Sequence, residues 1–379
     1  MNHPSFPRCL LAVALAGGLS LSNLAGAVDT IKIGIAGPMT GGYAAFGEQF
    51  WRGASQAAED INAAGGIDGK QIELVKGDDA CEPKQATAVA NRLLDQDKVA
   101  AVVGHFCSSS TIPASEVYAD AGVLVITPGS TNPQVTERGL PTVFRMCGRD
   151  DQQGPLAADF IVNELKAKKI AVVHDKDTYG QGIADAMRAR LKELNADDRV
   201  VLYEGLTRGE KDFNALVTKI KAADADTVYF GGLYNEAGPL LRQLREQGLK
   251  VNFLSGDGSL DPAIVTTAGG PQFVEGAYMT SVREARNIAS SQDVVKKMKE
   301  AGFDPAGFTL YAYAALEAIA ASMNGAKTGD GMKLAEWLKA HTVPTVLGPK
   351  TWDAKGDLNE TSFSLFVWGP DGNYTEMQK

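Results

Sequence analysis

The residues with the clearest chemical potential are Gly104-His105-Phe106-Cys107-Ser108-Ser109-Ser110-Thr111, directly after the apolar run Val99–Val103. A buried strand ending in a run of hydroxyls that opens a helix presents unpaired backbone N–H groups and the positive end of a helix dipole. Both suit a carboxylate or phosphate. Ser and Thr are also ordinary N-cap residues, so this segment alone leaves both roles open. Further segments of this kind follow strand-like runs. In the first half they are Gly37-Pro38-Met39-Thr40-Gly41-Gly42-Tyr43 with Phe46-Gly47, and Thr127-Pro128-Gly129-Ser130-Thr131. In the second half they are His174-Asp175-Lys176-Asp177-Thr178-Tyr179-Gly180, Gly231-Gly232-Leu233-Tyr234-Asn235-Glu236 and Ser255-Gly256-Asp257-Gly258. Hydroxyls and backbone donors collect in the first half, acidic and aromatic residues in the second. That division suits a zwitterion, with its carboxylate on one half and its ammonium on the other. Asp257 between glycines equally fits a turn. Glu236 and Tyr234 read as solvated loop residues.

Catalytic patterns are missing. The sequence has no Gly-x-Ser-x-Gly elbow, P-loop or His-Glu-x-x-His, and Gly37, Gly41 and Gly42 do not make a dinucleotide fingerprint. Ser108 could pair with His105 or His174 as nucleophile and base, but nothing in the spacing fixes that geometry. No Cys-x-x-Cys or His-x-x-x-His spacing suggests a metal site. The reading is therefore no catalytic residues, no metal and no cofactor.

The elements that must position these loops alternate. Strands are predicted at Ile31–Ala36, Gln71–Val75, Val99–Val103 and Val123–Ile126, with helices at Gln49–Ala64, Lys84–Leu94 and Ile112–Ala119. The pattern restarts with strands at Lys169–His174, Val200–Tyr203, Thr227–Phe230 and Val251–Leu254, and helices at Gly182–Leu194, Asp212–Ala222 and Gly238–Gln247. Helices at Asp293–Ala301, Gly307–Asn324 and Met332–His341 follow, then a strand at Phe363–Trp368. Alternation of this kind implies α/β architecture: two doubly wound, Rossmann-like lobes with parallel sheets and right-handed crossovers. Ligands in such sheets bind beyond the C-terminal strand ends, here in one interdomain cleft. The expected division is a leader over 1–27, lobe I over 28–149 plus 282–362, and lobe II over 150–281 plus 363–379.

The N-terminus reads as a secretory signal peptide: Arg8, the apolar stretch Cys9–Leu21, then Ala25-Gly26-Ala27. The mature chain is expected to begin near Val28, without a lipid anchor and in soluble form, because no later stretch reaches roughly 18 uninterrupted apolar residues. The chain has 37 basic against 46 acidic side chains and a formal net charge of −9. Loss of Arg8 makes it more negative still. With no basic cluster, a nucleic-acid partner is excluded.

An exported chain meets an oxidising compartment. Cys81 and Cys107 each follow a predicted strand of the first half. Strand ends on one edge of a parallel sheet lie close together, so these two are the expected disulfide and Cys147 a buried thiol.

Several longer stretches carry a resemblance: Gly77–Ala86, Gly104–Thr111, Ile126–Thr131, Gln153-Gly154-Pro155, Val173–Gly180, Gly209–Phe213 and Gly348–Leu358. Through them the chain resembles the periplasmic substrate-binding proteins of branched-chain amino acid ABC transporters, of the Leu/Ile/Val-binding kind, from about Val28 to Trp368. The resemblance implies a type I periplasmic binding protein fold with three crossovers and a closing hinge. It implies a monomer in the periplasm that carries leucine, isoleucine or valine to a membrane permease. It implies that Ser108, Gly129, Ser130 and Thr131 hold the ligand carboxylate, with Thr131 and a carbonyl near Gly129 also on the ammonium. Asp257 would pair with the ammonium, Tyr179 would close over the ligand, and Phe46 would touch its side chain. The family disulfide also falls on Cys81 and Cys107. Asp257 stands where glutamate is common, Phe46 and Leu233 where tyrosines occur, and Gly129-Ser130 in place of two alanines. Another small amino acid, an amide or γ-aminobutyrate are the alternative ligands. A sensory ligand-binding module and a secreted hydrolase using Ser108 are the alternative functions.

Overall fold

The computed structural model describes residues 29–377 together with Met1. Apart from Met1, the leader predicted over 1–27 lies outside the described residues. Among the described residues, no helix is long and apolar enough to cross a membrane.

Two sheets carry the fold. The first contains β1 (Thr30–Gly37), β2 (Gln71–Asp78), β3 (Ala101–Val103), β4 (Leu124–Thr127) and β5 (Val143–Arg145). Its order is β2-β1-β3-β4-β5, with every pairing parallel. Helices α1 (Ala44–Ala63), α2 (Pro83–Asp95), α3 (Ser108–Asp120) and α4 (Gln134–Glu137) connect these strands. Strands covered on both faces read as unbroken apolar runs. Ala101, Val102 and Val103 accordingly have no exposed surface, and neither do Ile33, Ile35 and Ala36.

The second sheet is reached through α5 (Asp150–Asn163). It contains β6 (Ile170–His174), β7 (Val200–Gly205), β8 (Thr227–Gly231), β9 (Asn252–Ser255), β10 (Tyr278–Val282), β11 (Phe363–Trp368) and β12 (Tyr374–Glu376). The order is β12-β11-β10-β9-β8-β6-β7. The strands from β7 to β10 are parallel, but β10–β11 and β11–β12 are antiparallel. Its helices are α6 (Thr178–Glu193), α7 (Asn214–Ala222), α8 (Tyr234–Glu246), α9 (Ala263–Ala268) and α10 (Pro271–Val274).

Between β10 and β11 the chain returns to the first sheet. There α11 (Gln292–Glu300), α12 (Thr309–Ala326) and α13 (Gly331–Ala340) are built, with α12 against α1, β3 and β4, and α13 against β4. The backbone therefore passes between the sheets three times: before α5, after β10 and before β11.

The alternation predicted from sequence matches the observed order. Seven of these elements have no counterpart in the predicted set: the strands β5, β10 and β12, the long helix α5 and the short helices α4, α9 and α10. The α5 segment holds Gly154-Pro155, which reads as a break. In the fold that glycine permits close packing, since a Cβ there would stand 2.7 Å from the backbone nitrogen of Met187 in α6. The hydroxyl run itself forms the first turn of α3, four residues ahead of the predicted start at Ile112.

Candidate functional site

The strand ends of the two sheets face one another, and the lobes are closed. Hydrogen bonds bridge them, among them Ser109 Oγ to Asp177 Oδ2 (2.9 Å), Asn132 Nδ2 to the Thr178 carbonyl (2.8 Å), Tyr43 OH to Glu236 Oε1 (3.0 Å), Gln49 Nε2 to Asp261 Oδ2 (2.5 Å) and Arg208 Nε to Tyr43 OH (3.1 Å). Between them lies a narrow pocket, with about 10 Å³ open to a water-sized sphere. Phe106, Cys107, Ser108, Gly129, Tyr179, Arg208, Leu233, Asp257 and Gly258 line it.

On the first lobe, Cys107 is the N-cap of α3 and makes no side-chain cap. Its sulfur is bonded to Cys81, with 5.5 Å between the Cα atoms, as the sequence predicted. Cys147 is free and buried, also as expected. Among the described residues, no backbone carbonyl takes the N–H of Ser108 or Ser109. A helix of 13 residues thus points free donors and its positive end at the pocket. Ser108 Oγ accepts from the Asn132 N–H at 3.3 Å, so its own proton remains available. The Thr131 N–H has no partner among the described residues, and Thr131 Oγ1 is buried without one. Gly129 is required by close approach: a Cβ there would stand 2.7 Å from the Phe106 ring.

This loop is held from behind. Ser130 Oγ is engaged with the Phe106 carbonyl (2.8 Å), the His105 carbonyl (3.1 Å) and Thr111 Oγ1 (2.5 Å). The Arg145 guanidinium, fully buried, donates to the Ser130 and Asn132 carbonyls and pairs with Asp357 at 2.6 Å. Burial alone would raise the Asp357 carboxyl, but the charge of Arg145 and hydrogen bonds from Thr136 and Arg149 hold it below the usual carboxylate range. Asp357 precedes the third crossing, so the same ion pair ties the loop to the hinge.

On the second lobe, Tyr179 OH donates to Asp257 Oδ1 at 2.7 Å and accepts from the Gly258 N–H at 3.1 Å. Asp257 Oδ2 is buried without a partner among the described residues. Burial pushes the Asp257 carboxyl up to about 6, against the Tyr179 hydrogen bond that pulls it down. Asp150, whose N–H donates to the Thr131 carbonyl at 2.9 Å, is pushed well up by its own burial and then by the charge of Asp257. A buried carboxylate with an unused oxygen calls for a cation.

Of the seven ligand residues expected from the sequence, Ser108, Gly129, Tyr179 and Asp257 come together at the pocket. Ser130 and Thr131 sit in its supporting loop. Phe46 stands one layer behind, stacked on Phe106 with 3.9 Å between ring centroids, so Phe106 presents the aromatic surface. Phe106, Cys107, Arg208 and Gly258 were not named as ligand contacts. For Phe106, the signal was its place inside the hydroxyl segment. Glu236 and Tyr234, read as solvated, are buried. Glu236 takes the Tyr43 hydroxyl and the Gly209 N–H, each at 3.0 Å, and Tyr234 packs on Phe46.

The geometry gives Ser108 no base. His105 turns Nδ1 to Asp79 and Nε2 to Tyr118 OH at 3.0 Å, and His174 Nδ1 accepts from the Lys176 N–H at 3.1 Å. Among the described residues, no cluster of His, Cys, Asp or Glu has the arrangement of a metal site.

A family model described as "Periplasmic binding protein" matches residues 30–373. An "Amino acid binding protein" of Pseudomonas aeruginosa is 62% identical over 377 residues, covering 100% of both chains. The "Leu/Ile/Val-binding protein" of Escherichia coli is 43% identical, covering 97% of this chain and 98% of its own. Among solved structures, the substrate-binding protein LivJ of Streptococcus pneumoniae in complex with isoleucine aligns with a TM-score of 0.83 at 30% identity, over 91% of this chain and 98% of that one. The leucine-binding protein LivK of Thermotoga maritima aligns with a TM-score of 0.83 at 28% identity, over 92% and 98% of the two chains. Two α/β lobes, three crossings and a closed pocket between facing strand ends agree with these matches, and the chain belongs to the periplasmic binding protein family.

Proposed function

We propose that this chain captures an L-amino acid, in the first place leucine, isoleucine or valine, between its lobes and delivers it to the membrane permease of an ABC transporter, without chemical turnover. The observation that carries this reading is the two-sided polarity of the pocket. Free helix and loop N–H groups with the Ser108 hydroxyl stand on one lobe, and the unpartnered Asp257 Oδ2 on the other. Those groups match an α-carboxylate and an α-ammonium. Phe106 and Leu233 supply apolar wall for a side chain. The names of the relatives support the same ligand class.

The moving bodies would be residues 28–149 with 282–362, and 150–281 with 363–379. A ligand that touches both lobes binds the closed form more tightly than the open one and so draws the hinge shut. The leader would direct export to the periplasm and be cut near Val28.

The test is a thermal-shift screen of refolded, ligand-stripped protein against the twenty L-amino acids, γ-aminobutyrate and small amides. A ligand at about 100-fold its Kd adds roughly 2.7 kcal/mol of stability. Shifts with L-amino acids, leucine, isoleucine and valine among them, support the reading. Silence across the set overturns it.

A further inference from the structure

Of the described residues that line the pocket, Arg208 alone is cationic. It comes from the second lobe, just after β7, and reaches the first. Its Nε donates to Tyr43 OH at 3.1 Å, and its guanidinium lies 4.7 Å from the centre of the Tyr43 ring. Nη1 pairs with Asp177 Oδ2 at 3.0 Å, and Ser109 Oγ donates to that same oxygen at 2.9 Å. Nη2 meets the Cys107 sulfur at 3.4 Å.

Cys107 and Ser109 flank Ser108 along the chain, so these contacts hold the guanidinium at the first turn of α3. That turn carries the Ser108 and Ser109 N–H groups that no backbone carbonyl takes among the described residues. A guanidinium has five N–H donors in a fixed plane, and a disulfide sulfur is a weak acceptor. Arg208 is therefore fixed by Tyr43 and Asp177, yet its Nη2 meets no oxygen among the described residues. A carboxylate placed on the free N–H groups of α3 has this charged donor beside it. Hydrogen bonds from an ionised donor are about twice as strong as neutral ones, and a charge taken out of water needs such partners.

We infer that Arg208 is a further binding residue for the ligand's α-carboxylate: from the second lobe it donates a charged hydrogen bond to the group that the first turn of α3 takes from the first lobe. This inference rests on the amino-acid-binding reading above and adds a demand for a full negative charge, which an amide does not meet. Holding one group from both sides also links its capture to closure, because opening the cleft parts Arg208 from Cys107.

The test compares leucine with leucinamide, which keeps the side chain and the ammonium but replaces the carboxylate by a neutral amide. Both are titrated by calorimetry into refolded, ligand-stripped mature protein, leucinamide by competition. Their ratio cancels any general effect on lobe closure. Arg208→Met is expected to weaken leucine by about tenfold or more, as loss of a hydrogen bond from a charged donor implies, and leucinamide by less than about threefold. Arg208→Lys, which keeps the charge, is expected to hold leucine within about tenfold of the wild type. Equal weakening of both ligands by Arg208→Met overturns the inference and makes Arg208 only a strut between lobes. Unchanged leucine affinity in that variant overturns it too, as does a wild type that binds the two ligands alike. Where leucinamide does not compete at all, the lysine variant decides: leucine bound as weakly as in Arg208→Met overturns the inference. If no amino acid binds the wild type, the amino-acid reading itself fails and takes this inference with it. Binding of leucine with an unmoved ratio removes the inference alone.

Discussion

Tyr179 gives its hydroxyl proton to Asp257 Oδ1 at 2.7 Å and leaves Oδ2 buried with no partner among the described residues. The tyrosine fixes the rotamer of the carboxylate without satisfying it. The remaining oxygen is thus desolvated by the fold itself and oriented to meet an ammonium group.

Asp257→Asn should therefore separate binding from stability. Asparagine can still accept from Tyr179 but carries no charge. Amino-acid affinity should fall by more than tenfold, since a hydrogen bond to a charged group contributes about 1.5–3 kcal/mol. The ligand-free protein should become more stable near neutral pH, by up to about 2–3 kcal/mol, because an acid held near 6 is ionised there at a cost. Calorimetric titration and ligand-free melting check the two halves. Unchanged affinity would remove Asp257 from the site.

The pH dependence follows from the same group. Its pKa in the ligand-free fold is raised above the ordinary value to about 6, so the folded chain holds more protons than the unfolded chain between about pH 4 and 6. Asp257 then contributes stability that is present at low pH and lost as pH rises through about 6. Binding runs the other way, because the ammonium needs the ionised carboxylate. Affinity should hold above about pH 6 and fall below it, by up to tenfold per pH unit. In Asp257→Asn that dependence should flatten, which titrations at pH 5 and pH 7 would show.

Ser108→Ala removes a hydroxyl whose oxygen already accepts from Asn132 and whose proton is free. Affinity should drop by about tenfold to a hundredfold, the range for a hydrogen bond to a carboxylate. Melting of the ligand-free protein should move little, as the Asn132 N–H loses only a 3.3 Å contact. Equal affinity in wild type and variant would exclude the hydroxyl from carboxylate capture.

Ser109 bridges to Asp177 across the cleft and lines no part of the pocket. Ser109→Ala should shift ligand-free protein toward the open form by about fivefold, for a partly exposed hydrogen bond of about 1 kcal/mol. Small-angle scattering should then show a larger radius without ligand and an unchanged radius at saturation. An unaltered ligand-free profile would mean that this contact does not hold the lobes together.

Reduction of Cys81–Cys107 opens a crosslink between residues 26 apart. The loop-entropy account assigns it about 3–4 kcal/mol. Because Cys107 caps α3 and touches Arg208, reduction should also weaken ligand binding. Melting with and without a reductant, each with leucine added, measures both effects.

Much of this was legible in the chain. Parallel strands buried on both faces announce themselves as unbroken apolar runs, so Val99–Val103 and Thr227–Phe230 were plain. The shared sheet edge was enough to pair Cys81 with Cys107. The hydroxyl run after β3 was visible as donors at a helix start. Local periodicity failed where packing overrides it. Gly154-Pro155 lies inside a helix because α6 passes too close for a side chain, and β10 and β11 pair antiparallel across 80 residues that belong to the other lobe. Which loop residues face the pocket is likewise a matter of layers. Phe46 and Phe106 are both apolar aromatics near strand ends, and only stacking puts one in front of the other. Glu236 looks solvated in a Tyr-Asn-Glu loop until closure brings Tyr43 onto it. Arg208, in a short loop of mixed polarity, gave no sign of its place beside Cys107 and Tyr43. Sequence determined the elements and the chemistry available at their ends, since both depend on neighbours along the chain. Tertiary structure alone decided which side chains meet across the cleft, because that depends on how two lobes, joined three times, come to face each other.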